Sequence, residues 1–116
     1  PAFYRVVWNA HVAEFSDLTV AERQHCMDAV AVVEQVLREH LVPTKVNIAA
    51  LGNMVPHLHW HVIARFGWDS HFPAPVWASP IRQRSPERES ALEVLRPPLH
   101  AAIAHRLRKL VERRPT

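Results

Sequence analysis

The chain has 116 residues, of which 48% are hydrophobic and 22% charged, and this composition excludes a disordered protein and fits one globular domain with a single core. No apolar run approaches the roughly 20 residues that span a bilayer, so we expect no membrane partner. The formal net charge of +3 comes from residues 82–116, where nine Lys and Arg outnumber four Asp and Glu; a solvated helix face explains this excess, and we do not expect nucleic acid as a partner.

The first part of the chain predicts a strand followed by a long helix. Residues 3–8 are aromatic and β-branched, which is typical of a strand. Thr19 and Glu22 have the spacing of a capping box, so a helix is expected to begin there. Apolar residues then recur at intervals of three and four up to about His40, and Pro43 ends the helix.

The middle of the chain predicts two further strands and a loop. Residues 45–51 have the pattern of a strand, residues 52–53 that of a turn, and residues 57–66 that of a third strand. Residues 68–77 are aromatic and proline-rich, which favours an ordered loop packed on the domain surface. The order of these elements predicts an α+β domain over residues 1–80.

Two helices are expected in a C-terminal extension over residues 81–116. Pro86 and Pro97–Pro98 suit the first turns of these helices, because proline is favoured at that position. The last helix has one apolar stripe opposite a basic face. The residues of the stripe are Leu99, Ile103, Leu107 and Leu110.

Three histidines at alternate positions are the strongest chemical signal in the chain. Because successive side chains of a strand point to opposite faces, His57, His59 and His61 share one face, and Leu58 and Trp60 share the other. A row of imidazoles can attack phosphorus, hold phosphate oxygens or bind a metal ion. A chance row of solvent-facing histidines is one alternative. A zinc site is another, although the outer histidines of this spacing lie far apart for one tetrahedral ion.

Residues 57–63, in which three histidines alternate with apolar residues, resemble the signature of the histidine triad superfamily of nucleotide hydrolases and transferases. Residues 8–12, Trp-Asn-Ala-His-Val, are similar to the earlier histidine region of that superfamily. Residues 47–53 are similar to its strand and glycine turn before the triad. The likeness extends over residues 3–77, and within it residues 51–77 resemble a bacterial branch.

The resemblance implies a fold in which an antiparallel sheet carries the triad and a long helix packs beside it. It also implies a homodimer with a continuous sheet. Members of the superfamily usually have additional strands that line the nucleoside pocket before the point where this chain begins, at Pro1. We therefore expect that an N-terminal portion precedes this numbering or was removed. The single Cys26, which has no partner for an internal disulfide, favours a cytoplasmic location.

The resemblance also implies a role for each histidine of the triad. His59 is the expected nucleophile, His61 donates to a phosphate oxygen, and His57 holds the array in register and serves the leaving-group side. No cofactor and no metal is required. The candidates for substrate contacts are Asn47, Gly52, Asn53 and His11, for which simple turn or structural roles are the alternatives.

Met54 departs from the family pattern. Many hydrolases of the superfamily have Ser or Thr three residues before the first histidine of the triad, where the hydroxyl assists the leaving group. Methionine cannot donate a hydrogen bond, so Asn53 is the nearest residue that could replace the hydroxyl. Without such a replacement, we expect slow turnover.

The sequence therefore predicts a nucleotide phosphohydrolase or nucleotidyl transferase that acts at an α-phosphate through a nucleotidyl-histidine. Its expected substrates are nucleoside phosphoramidates, dinucleoside polyphosphates or similar nucleotide conjugates. A nucleotide-binding module with little or no turnover is the main alternative, and Met54 favours it. A zinc-dependent hydrolase is a third hypothesis.

Overall fold

The computed structural model describes residues 3–9, 12–54 and 56–112, which form a three-stranded antiparallel sheet and two long helices. The elements are β1 (Phe3–Val7), a 3-10 turn (Phe15–Asp17), α1 (Val20–Leu41), β2 (Lys45–Ala49), β3 (His59–Arg65) and α2 (Pro86–Glu112). The strand order β1-β3-β2 makes β3 the central strand. The predicted α+β fold is confirmed. Neither helix of the described ranges combines the length and apolar character needed to cross a membrane.

Strand β3 is paired along both of its edges. On one side Arg5 of β1 lies opposite His61, and on the other side Asn47 of β2 lies opposite Ile63. Directly opposite residues of paired strands share a face of the sheet. Arg5 and Asn47 therefore lie on the face that carries His59 and His61, which we call the histidine face.

The other face of the sheet packs against the helices and forms the core. Val62 and Ala64 of β3 are fully buried, as are Val36 and Leu37 of α1. Helix α2 packs on α1 and adds two residues to the same apolar cluster. The cluster consists of Val30, Val33, Val36, Leu37, Val62, Ala64, Phe66, Leu99 and Ile103. Trp60 packs against this cluster from the same face as Val62 and Ala64, which confirms the predicted apolar face.

Helix α1 has the ends that its sequence predicts. The backbone N–H of Glu22 donates to Thr19 Oγ1 at 3.1 Å, and the N–H of Thr19 donates to Glu22 Oε1 at 2.7 Å. At the other end Val42 adopts a left-handed conformation with φ 46°. That conformation is costly for a β-branched residue. Together with Pro43, it turns the chain out of the helix toward β2.

The predicted third strand begins two residues later than expected. His57 lies in a bend, where the carbonyl of Leu58 still bonds to Trp8 in the register of β1 but the N–H of Leu58 leaves that ladder. The N–H of Leu58 donates to the carbonyl of Val12 at 2.8 Å, and the N–H of Trp8 donates to the carbonyl of Leu58 at 3.1 Å. A strand over all of residues 57–66 is therefore wrong at its start, and His57 lies before β3.

The prediction of two C-terminal helices is also wrong, because α2 is one helix with Pro97 and Pro98 inside it. Each proline lacks an N–H and leaves a carbonyl one turn earlier without its helical donor. These carbonyls belong to exposed residues, where water can reach them. The buried side chains of Leu99 and Ile103 hold the helix on α1 immediately after the prolines. Packing therefore overrides the local preference to break the helix.

Replacing Pro98 with alanine is expected to raise the free energy of unfolding by about 2 kcal/mol. The change restores a helical N–H and removes the clash of the ring, which outweighs the greater freedom of the unfolded chain. Urea denaturation measures the difference. Pro86→Ala is the matched control and should have little effect, since the first residue of a helix needs no donor. A loss of stability in Pro98→Ala would contradict a continuous helix.

Candidate active site

His57 is fixed by a contact between its side chain and the backbone of the neighbouring segment. Its Nε2 donates to the carbonyl of Trp8. A carbonyl oxygen only accepts hydrogen bonds, so Nε2 carries the proton in this contact. The next residue, Leu58, is buried between the same segment and α1. The backbone at His57 is therefore fixed by the hydrogen bond of its own side chain and by the burial of Leu58.

His59 is held in one tautomer by the carbonyl of His57. Its Nδ1 lies 2.6 Å from that oxygen, so Nδ1 is the donor and carries the proton. In the neutral ring Nε2 then has the lone pair. The rings of His59 and His61 meet edge to face, with centroids 5.0 Å apart. The two imidazoles that follow the bend therefore form one compact pair on the histidine face.

His61 is the member of the pair with a shifted pKa. Burial lowers the pKa of His61, and the nearby charges of His59 and Arg5 lower it further. Since the ordinary value is 6.5, His61 is neutral at pH 7. A neutral imidazole has one N–H and can donate a hydrogen bond to a phosphate oxygen.

Arg5 is a candidate site residue that sequence reasoning missed. It is exposed and lies opposite His61 on the histidine face, where a guanidinium can hold phosphate oxygens. The alternation in residues 3–8 separates Arg5 from Tyr4 and Val6. It does not show which strand pairs with the histidine strand, so this placement required the structure.

The far end of the histidine face is closed by a buried ion pair between Arg65 and Asp69. The two residues are 1% and 3% exposed. Arg65 donates from Nε to Asp69 Oδ2 at 2.9 Å and from Nη2 to Asp69 Oδ1 at 3.1 Å. It also donates from Nη1 to Asn47 Oδ1 at 2.8 Å and from Nη2 to the carbonyl of Ala74 at 2.7 Å. Sequence reasoning singled out neither member of this pair.

Asp69 organises the loop after β3. Burial by itself would raise the pKa of Asp69, but the Arg65 guanidinium and the backbone N–H groups of His71, Phe66 and Phe72 hold this pKa well below its ordinary value. The carboxylate is therefore charged at neutral pH. The predicted ordered loop is confirmed, and Asp69 explains its order.

The remaining predicted site residues occupy different positions. Asn47 lies on the histidine face, as described above. Gly52 and Asn53 lie in the connection between β2 and β3, where Gly52 has a left-handed φ of 66° and Asn53 is exposed. His11 lies outside the described residues. Among residues 3–9, 12–54 and 56–112, no three His, Cys, Asp or Glu side chains converge as the ligands of a metal ion would.

Three of the solved structures that are similar to this chain are bacterial histidine triad proteins. A histidine triad protein from Bradyrhizobium japonicum has a TM-score of 0.64 and 34% identity, covering 81% of this chain and 72% of that chain. A histidine triad protein from Marinobacter aquaeolei VT8 has a TM-score of 0.65 and 29% identity, with 86% and 75% covered. A histidine triad (HIT) protein from Sinorhizobium meliloti 1021 has a TM-score of 0.66 and 31% identity, with 89% and 73% covered.

Sequence comparison gives two further findings. The family model described as HIT domain matches residues 1–67, which is more than half of the chain. Proteins named AP-4-A phosphorylase from two strains of Mycobacterium tuberculosis, CDC 1551 / Oshkosh and H37Rv, are each 33% identical over 87 residues. The matched region is 70% of this chain but only 45% of those relatives, so the chain spans less than half of their length.

The lowered pKa of His61 predicts a loss of stability in mild acid. Below the unfolded-state pKa of about 6.5 the unfolded chain takes up a proton that the folded chain resists, so the free energy of unfolding falls as pH falls. His61→Gln should lose less stability between about pH 7.5 and about pH 5.5. Thermal unfolding at the two pH values measures this difference.

His105→Gln is the matched control, because it removes a histidine from an exposed position on α2. It should keep the pH dependence of the unsubstituted protein. The titration of Asp69 does not contribute in this pH range. A carboxyl with a lowered pKa loses its stabilising contribution only below its ordinary pKa of 3.8. Equal losses in the unsubstituted protein and in His61→Gln would show that His61 is not the responsible group.

Proposed function

The chain belongs to the HIT family, and from this membership we propose that it is a nucleotide hydrolase or nucleotidyl transferase acting at an α-phosphate. The observation that carries the proposal is the 2.6 Å contact between His59 Nδ1 and the carbonyl of His57. In the neutral ring this contact leaves the lone pair to Nε2, the atom that we propose as the nucleophile. Attack on phosphorus requires such a neutral imidazole in a fixed orientation.

The proposed reaction has two displacement steps. In the first, His59 Nε2 forms a bond to the α-phosphorus while the bond from phosphorus to the leaving group breaks. The product is a nucleotidyl-histidine. In the second step water, or another acceptor in a transferase, takes the nucleotidyl group and restores the histidine. Two such steps replace one harder displacement.

The neighbours of His59 supply the groups that this reaction needs. Negative charge on the phosphoryl oxygens must be held in the transition state, and fixed donors provide most of that stabilisation. The N–H of His61 and the guanidinium of Arg5 are the proposed donors. His57 keeps the carbonyl that sets the tautomer of His59. Gly52 and Asn53 remain proposed contacts on the leaving-group side.

The mycobacterial relatives guide the choice of substrate. Because their printed name is AP-4-A phosphorylase, a dinucleoside polyphosphate belongs among the substrates to be tested, with and without inorganic phosphate. Nucleoside phosphoramidates remain the other proposed class. The chain covers less than half of those relatives, so both classes are part of the proposal.

A homodimer with a sheet that continues across both subunits is also part of the proposal. Within the described ranges, the outer edges of β1 and β2 pair with no further strand. Backbone groups at a strand edge favour pairing with another strand. Sedimentation analysis would report the mass of the assembly. The cytoplasmic location and the domain boundary at residue 80 stay predictions.

One observation favours the alternative of a nucleotide-binding module with little turnover. Met54 is 95% exposed in the connection that leads to the triad, and its thioether has no proton to give to a leaving group. A protein of this kind would bind nucleotide through the histidine face but release product slowly.

His59→Ala is expected to lower the rate of AMP release by at least about a thousandfold, because it removes the proposed nucleophile. The assay uses adenosine 5′-phosphoramidate and diadenosine tetraphosphate with a chelator present. The reaction is stopped without acid, and mass spectrometry of the protein should then detect one AMP group added to the unsubstituted chain and none added to the variant. His105→Ala is the control histidine and should keep the full rate.

The other outcomes distinguish the alternatives. AMP bound by the unsubstituted protein without release of product from any substrate would support the binding module. Activity that disappears with chelator and returns with zinc would support the zinc-dependent hydrolase. Normal release of AMP by His59→Ala would overturn the proposed nucleophile.

A further inference from the structure

Asn47 is expected to contact substrate, but the oxygen of its side-chain amide already accepts a hydrogen bond within the protein. Its Oδ1 accepts a hydrogen bond of 2.8 Å from Arg65 Nη1. Arg65 is 1% exposed and is itself held by both oxygens of Asp69 and by the carbonyl of Ala74. The donor to Asn47 is therefore fixed from three directions.

This contact determines which way the amide of Asn47 is turned. A guanidinium has five donors and no acceptor, so only the oxygen of the amide can face it. A flipped amide would put its own NH2 group against an N–H of Arg65. The orientation with Oδ1 toward Arg65 is thus the only one that satisfies both groups. The Nδ2 group is consequently the end of the side chain that is turned away from Arg65.

The register of β2 places Asn47 beside the histidine pair. Asn47 lies on the histidine face, and the residue two positions later, Ala49, lies directly opposite His61. Asn47 is thus the diagonal neighbour of His61, a relation in which residues lie about 7–8 Å apart. One phosphate group can bridge such a gap. Asn47 is only half-buried, so part of this residue is open to solvent.

We propose that Arg65 and Asp69 are positioning residues that fix the amide of Asn47 so that its Nδ2 donates to an oxygen of the nucleotide's α-phosphate. The proposal rests on the proposed function, since it concerns the same site and the same substrate. Asn47 touches the substrate, whereas Arg65 and Asp69 act through it. The loop that carries Asp69 and Ala74 thereby contributes to catalysis without contacting the nucleotide.

The energetics agree with a fixed donor rather than a mobile one. Asp69 receives two hydrogen bonds from Arg65 and further ones from the backbone N–H groups of Phe66, His71 and Phe72. A buried charge pair compensated in this way has one stable arrangement. A donor aimed before the substrate binds needs no reorganisation in the transition state.

Asn47→Asp is the decisive variant, because it separates the two ends of the amide. The carboxylate keeps an acceptor for Arg65, so the fold and the ion pair are retained, but the Nδ2 donor is lost. The expected result is a fall in kcat of about tenfold or more for AMP release from adenosine 5′-phosphoramidate. If Asn47 only closed the loop, the new carboxylate would raise KM by repelling the phosphate and would leave kcat unchanged. Thermal unfolding confirms that the variant is folded.

A double-mutant cycle tests the positioning role of Arg65. Arg65→Lys keeps the charge but not the forked geometry, and it should lower kcat about fivefold or more in the unsubstituted background. In the Asn47→Ala background the same change should have almost no effect on kcat. Equal effects in both backgrounds would overturn the positioning role. Should Arg65→Lys fail to fold, Asn47→Asp still decides whether the donor exists.

A third comparison tests the group that accepts from Nδ2. With the 2′-deoxyadenosine phosphoramidate as substrate, the ratio of kcat between the unsubstituted protein and Asn47→Asp should be the same as with the ribonucleotide. A ratio near one would place the contact on the ribose and overturn the phosphate assignment. Failure of the proposed function has a different signature: the unsubstituted protein itself would release no AMP from either substrate.

Discussion

The pairing of β3 on both of its edges is the constraint on which the rest of the structure depends. A central strand with hydrogen bonds to β1 and β2 cannot rotate, so its alternate residues are committed to opposite faces. Val62 and Ala64 are buried against the helices, which fixes the direction of His59 and His61. Shifting the strand by one residue would bury imidazoles in the core and expose the apolar side chains. The hydrophobic core thus orients the histidine face.

The ion pair of Arg65 and Asp69 differs in kind from the other ion pairs of the described residues. Arg96–Glu93 is solvent-exposed and Arg84–Glu89 is partly so, and pairs of this kind contribute little to stability. Breaking a buried pair by removing one partner costs about 3–5 kcal/mol, because an uncompensated charge remains. The loop after β3 therefore has a single arrangement with respect to the sheet, and Asn47 is linked to that arrangement.

The sequence predicted those features that depend on local pattern and missed those that depend on distant partners. The capping box of α1 and the alternating faces of β3 are properties of neighbouring residues, and both were confirmed. Arg65 looks like the polar end of a strand, and only the return of the loop buries it. Pro97 is typical of a helix start by its local sequence. The packing of Leu99 and Ile103 on α1, which keeps the helix continuous, depends on a distant partner. Arg5 could be assigned to a face only once β1 was known to pair with β3.

The histidine face has its permanent positive charge on the guanidinium of Arg5, and the lowered pKa of His61 keeps that imidazole uncharged at neutral pH. A proton on His61 would lie beside the His59 ring, whose centroid is 5.0 Å away, and beside Arg5. Both neighbours oppose that proton, and burial opposes it more strongly. In the proposed reaction the nucleophilic imidazole must be unprotonated at Nε2, so a neutral neighbour is compatible with attack, while Arg5 is the proposed source of the charge that attracts phosphate. The proposed reaction thus separates anion binding, assigned to Arg5, from nucleophilic attack, assigned to His59.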